Sequence, residues 1–530
     1  MINKQIPHIE TTAQGIADLA ASYYLPLVVV RDQHQKLGAF LQGEDNIEAI
    51  LRQLNLSLVG IIPAIYPELL GDQRFTQIHG CRYPYIVGEM ANGIATADMV
   101  IASAKAGLMG CFGAGGLVPE LVEKNIKYIN SKLSDQEINW SSNLIHSPNE
   151  PTIEEAVVQL YLHYKVRRIS ASAYMTLSSD VVHYACKGLH INSQGIIERS
   201  NFIMAKISRP ETALHFMKPA PEKMLALLVE QGKLTHQEAE LARHIPLAQD
   251  ITVEADSGGH TDNRALTALF PTIMQYAKKI TLEHQNRFQF RIGAAGGIGT
   301  PEAATAAFSM GAAYILTGSI NQAAVESGLS MIGKKMLAKA DMVDVMMAPA
   351  ADMFELGVKL QVLKKGTLFG MRAAKLYEVY SNYKSFQEIP QLTKNKLEQE
   401  LFHDTLENIW LTTREFFLKR DVKQVALAEK NEHYKMALVF RWYLGLSSRW
   451  AITGQQDRLF DYQIWCGPAM GSFNDWVKGS FLELLENRTV VQIAKNILAG
   501  AAYLTRVYQL KSFGFEFPVG TSDFKPEKFS

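Results

Sequence analysis

The sequence predicts an α/β protein, a closed (β/α)8 barrel of the TIM type with a small N-terminal module, a helical insertion and a helical C-terminal extension. Three observations predict it. From Tyr83 onward, short apolar runs alternate with stretches of helical periodicity, the pattern of parallel α/β structure. Eight such runs occur before Ser319, and eight strands close this kind of barrel. Finally, RIGAAGGIGTPEAATAAFSMGAAYILTGS at Arg291–Ser319 joins the last two runs through glycine-rich turns at both strand ends.

Taken in order, residues 1–75 form the small N-terminal module, in which the runs Leu25–Arg31 and Leu37–Leu41 flank a polar turn and read as a hairpin. Residues 76–335 form the barrel, with strands expected at Tyr85–Val87, Gly110–Phe112, Ser142–Ile145, Arg168–Ala173, Phe202–Lys206, Ile251–Ala255, Phe290–Ala295 and Tyr314–Thr317. Between Lys206 and Ile251 the connection is too long for one loop. Its apolar positions recur at helical spacing, so residues 209–248 are expected to be a helical insertion at the rim where strand-to-helix loops open. Residues 336–530 read as helical, with no return of a strand rhythm. Within them the Met-rich run Met342–Leu363 reads as core, with the wall of an acyl channel as its functional alternative.

Composition narrows the function classes. The chain has 530 residues, too many for one ordinary domain, and 47% are hydrophobic, enough for a sizeable core. Lys+Arg and Asp+Glu both number 53, so no global field favours nucleic acid or an anionic membrane. Cys81, Cys111, Cys186 and Cys466 are scattered without a C-x-x-C pair, which suits reduced thiols rather than disulfides or a zinc site. Neither a signal core nor a membrane-length apolar stretch is found, and a cytoplasmic protein is expected. H-E-x-x-H, G-x-S-x-G and the P-loop are absent, so zinc, serine-hydrolase and nucleotide-hydrolysing chemistry gain no support.

The glycine turns point to an anion. Gly296 and Gly297 follow an apolar strand, and Gly318-Ser319 follow the next one, so backbone N–H groups converge without a Cβ in the way. In a (β/α)8 barrel that is the phosphate grip. A dinucleotide fingerprint fits poorly, because no G-x-G-x-x-G occurs and GAGGLV at Gly113–Val118 lacks the last glycine. A merely tight structural turn is the plain alternative.

Four other strand ends carry unusual residues. GEMANG at Gly88–Gly93 offers small residues against which a flat ring can lie. Asn143 sits within an apolar strand and needs a buried partner, or else serves a loop backbone. Lys206 ends another apolar strand, where an unpaired ammonium is costly, and Glu254 or Asp256 are its candidate partners. TVEADSGGHTDNR ends in Gly258-Gly259-His260, whose histidine has helix capping as its plain role.

With these residues in place, the chain resembles the flavin-dependent (β/α)8 enzymes that include FabK-type enoyl reductases and nitronate monooxygenases. It is more closely similar to the PfaD-like trans-acting enoyl reductases of polyunsaturated fatty acid and polyketide synthases. That resemblance rests on SPNEP, VEADSGGHTDNR, GAAGGIGTPEAA and TGSINQA in the barrel, and on APAADMFELGVKLQVLKKGTLF, FRWYLGLSSRWA and DYQIWCGPAMGSFNDWVKGS beyond it.

The resemblance implies FMN as cofactor and NADPH as reductant. It implies that Gly296, Gly297, Gly318 and Ser319 hold the FMN phosphate, that Met90, Ala91 and Asn92 lie along the flavin ring, and that Asn143, Lys206 and the Gly259 backbone contact the cofactor. His260 matches the family histidine near the reacting carbon, while Asp256-Ser257 replace the Glu-Ala that often precedes Gly-Gly-His in the wider group. The implied reaction is hydride transfer to the β-carbon of an α,β-unsaturated thioester, with His260 as the catalytic residue donating a proton. The implied partners are acyl carrier protein domains of a synthase, with no nucleic acid or membrane and with a homodimer as a compatible assembly. Lys364, Lys365, Arg372 and Lys375 are the candidate docking patch for an acidic carrier. A nitronate monooxygenase and a non-catalytic synthase scaffold are the competing functions.

Overall fold

The structure is a computed structural model that describes residues 7–43, 46–134, 137–148 and 150–529. Asn149 of the SPNEP string and residues 1–6 of the N-terminal module lie outside the described residues.

The N-terminal module is a three-stranded antiparallel sheet of β1 (Leu27–Arg31), β2 (Leu37–Leu41) and β3 (Ser57–Ile62), in the order β2-β1-β3. The expected hairpin is β1–β2, with Leu27 opposite Leu41 and Arg31 opposite Leu37. Strand β3 is not foreseen by the sequence pattern, because SLVGII lacks apolar–polar alternation and is interrupted by Gly60. The sheet packs Val29, Ala39 and Ile62 onto Val507 and Leu510 of the last helix, Val490–Phe513.

The barrel contains β4 (Tyr85–Val87), β5 (Met109–Phe112), β6 (Trp140–Ile145) and β7 (Arg168–Ser172). A small surface hairpin, β8 (His190–Ile191) with β9 (Ile197–Glu198), follows. The barrel then resumes with β10 (Phe202–Ile207), β11 (Asp250–Glu254), β12 (Arg291–Ala295) and β13 (Ile315–Thr317). These eight strands close in the order β10-β11-β12-β13-β4-β5-β6-β7, and every pairing is parallel. Each expected run lies within two residues of its strand. Strands buried on both faces read as short continuous runs, which is why their spacing was legible.

At the N-terminal ends of the strands the barrel floor is sealed by charge. Asp250 accepts from Arg291 Nε and Nη2 at 2.6 Å each and lies 3.2 Å from His79 Nε2, while Arg168 Nε donates to His79 Nδ1 at 3.0 Å. All four side chains are buried, so the catalytic face must be the opposite one.

The insertion departs from expectation. Pro210–Met217 is a helix of the barrel wall, packed on β10 and on the helix Leu266–Glu283. Only after this wall helix does the chain add the helices Glu222–Glu230 and His236–Ala242, which pack on the helix Ser179–Cys186. Lys233 Nζ reaches Glu155 at 2.6 Å, and Glu238 accepts from the Gly188 N–H at 2.7 Å. Both helices pack on the outer wall, and Lys233 in the turn between them reaches the first turns of the helices that follow β6 and β7.

Beyond β13 the chain is mainly helical, yet strands do return. The Met-rich run contains a two-stranded hairpin of β14 (Val345–Pro349) and β15 (Lys359–Leu363), with Val345 opposite Leu363. Val490–Phe513 finally comes back to the barrel, packing on β4 and on the helices Ala97–Lys105 and Pro301–Ser309. It closes the ring of helices around the strands. Gly500 permits the approach, since a Cβ there would stand 2.6 Å from Pro301 Cγ. Residues between β13 and this helix are therefore inserted between the last barrel strand and its helix.

Candidate functional site

Every residue singled out from the sequence as catalytic or cofactor-binding lies at the C-terminal end of a barrel strand or in the loop after it. Glu89, Met90, Ala91 and Asn92 follow β4, Asn143 is in β6, Lys206 in β10, Gly259 and His260 follow β11, Gly296 and Gly297 follow β12, and Gly318 and Ser319 follow β13. The parallel barrel brings them to one mouth because all eight strands run the same way.

The glycine turns differ in what surrounds them. Gly259 (φ 88°) and Gly297 (φ 71°) have left-handed backbones that favour glycine, and a Cβ on Gly259, Gly297 or Gly318 would meet nothing within 4 Å. Gly296 (φ 82°) instead needs its bare Cα to pass Ala255, whose backbone would stand 2.7 Å from a Cβ. Three successive strands, β11 to β13, thus end in glycines that open onto space. The Ser319 hydroxyl accepts from the Gly467 N–H at 3.0 Å, so its oxygen is tied to the helical region.

GEMANG is folded over the GAGGLV turn. The Asn92 N–H donates to Gly115 O at 2.7 Å and the Gly93 N–H to Gly113 O at 3.0 Å. A Cβ on Gly113 would lie 1.9 Å from Met90 O, and one on Gly115 would lie 2.6 Å from Asn143 Oδ1. The glycines that made a poor dinucleotide fingerprint are there for backbone packing. Met90 is buried, Ala91 and Asn92 are half-buried, and Asn92 adopts a left-handed backbone (φ 57°).

Polar groups line the mouth beneath these turns. Asn143 Nδ2 donates to Ser170 O at 3.1 Å and to Ser172 Oγ at 2.9 Å. Lys206 Nζ lies 2.9 Å from Glu89 Oε1 and 3.2 Å from Glu254 Oε1. Burial disfavours its ammonium, but the Glu254 and Glu89 carboxylates outweigh that and hold its pKa above the ordinary lysine value. Glu254 was a candidate partner and Glu89 was missed; Asp256 instead accepts from Asn263 Nδ2 at 2.7 Å.

His260 does not cap a helix. Its Nε2 is 3.1 Å from Oδ1 of Asp352, a residue in the loop between β14 and β15. Burial disfavours the imidazolium, yet the hydrogen bond and charge of Asp352, with Glu254 behind it, raise the His260 pKa above its ordinary value against the opposing Lys206. The same hairpin grips the preceding glycine: Gly259 N–H donates to Gln361 O at 3.1 Å, and Gln361 N–H returns to Gly259 O at 2.9 Å. From further along the chain, the Cys466-Gly467 turn presses on Gly258, where a Cβ would stand 2.8 Å from Cys466 N. No short-range pattern could reveal these contacts, because their partners are on distant segments.

Several buried oxygens on segments that meet at the mouth have no hydrogen-bond partner: Asn321 Oδ1 and Gln322 Oε1 after β13, and Gln361 Oε1 beside Gly259. Unpaired acceptors of this kind suit a bound ligand that carries N–H or O–H donors. The basic residues proposed for docking are mostly committed elsewhere. Lys365 pairs with Asp341 and Asp344, Lys375 with Glu378, and Arg372 with Asp461. Among the described residues no helix is long and apolar enough to cross a membrane, and the four cysteines are buried and unbridged.

Comparison with known proteins places this geometry. Residues 72–413 match the family model of nitronate monooxygenase, and residues 383–462 match that of the inserted helical domain of acyl-carrier-protein S-malonyltransferase. The chain is 45% identical over 84% of its length to a polyunsaturated fatty acid synthase protein of Thraustochytrium sp., covering 30% of that protein. It is 42% identical over 90% of its length to polyketide biosynthesis protein PksE of Bacillus subtilis, covering 60% of that protein. The chain thus spans less than two thirds of the length of these relatives. Among solved structures, the enoyl reductase domain of MlnA from the macrolactin biosynthesis cluster of Bacillus amyloliquefaciens is 38% identical, with a TM-score of 0.80 over 84% of this chain and 99% of that one. Matched on the barrel and over the whole of that domain, the chain belongs to the nitronate monooxygenase family of oxidoreductases and, within it, to the PfaD-like enoyl reductases of polyunsaturated fatty acid and polyketide synthases.

Proposed function

We propose that this protein is a trans-acting, FMN-dependent enoyl reductase that consumes NADPH and reduces the α,β double bond of enoyl thioesters on acyl carrier protein domains. The observation that carries the reading is the run of open glycines at the ends of β11, β12 and β13 beside the Gly-Gly-His loop. Backbone N–H groups at Gly296, Gly297, Gly318 and Ser319 suit a phosphate, because Gly297 and Gly318 open onto space that a Cβ would enter without contact. Met90, Ala91 and Asn92 give a ring-shaped ligand a small-residue wall. Two N–H groups of Lys206 are directed to Glu89 and Glu254, which leaves a third for the cofactor, and Asn143 and the Gly259 backbone add further contacts.

Bound FMN would supply a two-electron carrier between NADPH and the β-carbon of the substrate. The protein has two tasks around that chemistry. It must steady negative charge on the thioester oxygen, for which one well-placed donor is worth about 2.7–4 kcal/mol at the transition state. It must also deliver a proton to the α-carbon, and His260, whose pKa the Asp352 and Glu254 carboxylates raise against the cost of burial, is the donor in this reading.

The test is direct. Purified protein should release FMN on denaturation and oxidise NADPH when given an enoyl thioester of a carrier protein. NADPH-independent oxygen consumption with a nitronate, and no response to the enoyl thioester, would make it a nitronate monooxygenase. A colourless protein that neither gains flavin nor turns over would make it a scaffold.

A further inference from the structure

We infer that Asp352 is a positioning residue for His260, delivered to the barrel mouth by the β14–β15 hairpin. The inference rests on the enoyl reductase reading for its catalytic consequence, but the contact itself stands on geometry. His260 and Asp352 are 92 positions apart in the chain, and their side chains meet at 3.1 Å.

The loop that carries Asp352 is pinned on every side. Ala350 N–H donates to Val358 O at 2.9 Å and closes its base. Phe354, fully buried, anchors its centre against Tyr377, Tyr380 and Phe440, and Glu355 pairs with Arg441 at 3.1 Å. One strand further on, the Gly259–Gln361 bridge locks the hairpin to the very loop that holds His260. Both ends of the pair are therefore fixed to each other by backbone before the side chains meet. An imidazole aimed by a carboxylate keeps one ring nitrogen engaged and presents the other, Nδ1, as the remaining N–H of the cation.

Charges face the pair from each neighbouring element. Glu254 at the end of β11 and Lys206 at the end of β10 act on His260 with opposite signs, and Arg441 of the helix Glu432–Thr453 acts on Asp352. The side chains are 28% and 53% exposed, so solvent weakens the attraction, and aim as well as charge is at stake.

The test uses the FMN-loaded protein and the variants Asp352→Asn and Asp352→Glu. The His260 imidazole is titrated by NMR on histidine-labelled protein without substrate, its resonance assigned by its loss in His260→Gln. Asp352→Asn should move that titration to lower pH, and Asp352→Glu should largely restore it. With enoyl thioester, kcat of Asp352→Asn should fall about tenfold above neutral pH and less below it, because protons supplied by the medium recover the imidazolium there. An unchanged His260 titration in Asp352→Asn would overturn the inference, as would a loss of kcat equal at every pH. Since the titration needs no turnover, a failed enoyl reductase assay would count against the proposed function while leaving the Asp352 test readable.

Discussion

At Lys206 one ammonium stands between Glu89 and Glu254, with side chains only 13%, 4% and 15% exposed. Removing the cation while keeping its volume leaves two carboxylates facing each other in a poorly solvated mouth. Lys206→Met should therefore lower unfolding stability by about 3–5 kcal/mol, the usual cost of breaking a buried pair from one side. Urea denaturation of the apoprotein checks this without reference to activity. An unchanged midpoint would mean that the three groups are not coupled as the distances indicate. The sequence marked Lys206 because a lysine ending an apolar strand needs a partner, and it named Glu254 correctly. Glu89 escaped notice because β4 and β10 lie on different parts of the barrel wall, and only closure brings their ends to one interior. Asp352 escaped for a stronger reason: nothing in a 92-residue separation tells a histidine which carboxylate it will meet.

The element that sequence periodicity misread is the β14–β15 hairpin. Its strands are only five residues each, half-buried on one and almost fully buried on the other, so the run lacks the alternation that announces a strand. The barrel strands were legible in spite of their shortness because glycine turns and helical stretches separate them regularly. Hairpin and Cys466-Gly467 turn together clamp the Gly-Gly-His loop, and the clamp depends on missing side chains: a Cβ on Gly467 would lie 2.8 Å from Gly258 N. Gly258→Val should push the turn away from the mouth and misplace the neighbouring His260. We expect about a hundredfold loss of enoyl reductase turnover with near-UV circular dichroism retained, the scale set by a misplacement of roughly 1 Å. Full activity in that variant would show that closure at this point is irrelevant to the chemistry.

Across the whole molecule, the barrel is the frame and everything else is attached to its two ends and its outer wall. The Asp250–Arg291–His79–Arg168 cluster seals the interior of the barrel at its floor. The long segment between β13 and Val490–Phe513 leaves from that mouth and covers it, and the returning helix completes the wall and carries the N-terminal sheet. The sequence showed a barrel followed by helices; it did not show that the last helix belongs to the barrel, since its fit to Pro301 and to the N-terminal sheet is a long-range match of small and apolar residues. The architecture brings the open glycines, a lysine between carboxylates and a histidine paired with Asp352 to one mouth, where the proposed function places the flavin. The most direct test of that account is anaerobic and stoichiometric. Protein loaded with FMN should lose its visible flavin absorbance on addition of one equivalent of NADPH, and regain it when an enoyl carrier-protein thioester is added, with the saturated thioester as product. Absorbance that stays bleached until oxygen is admitted, with the thioester recovered unchanged, would contradict it.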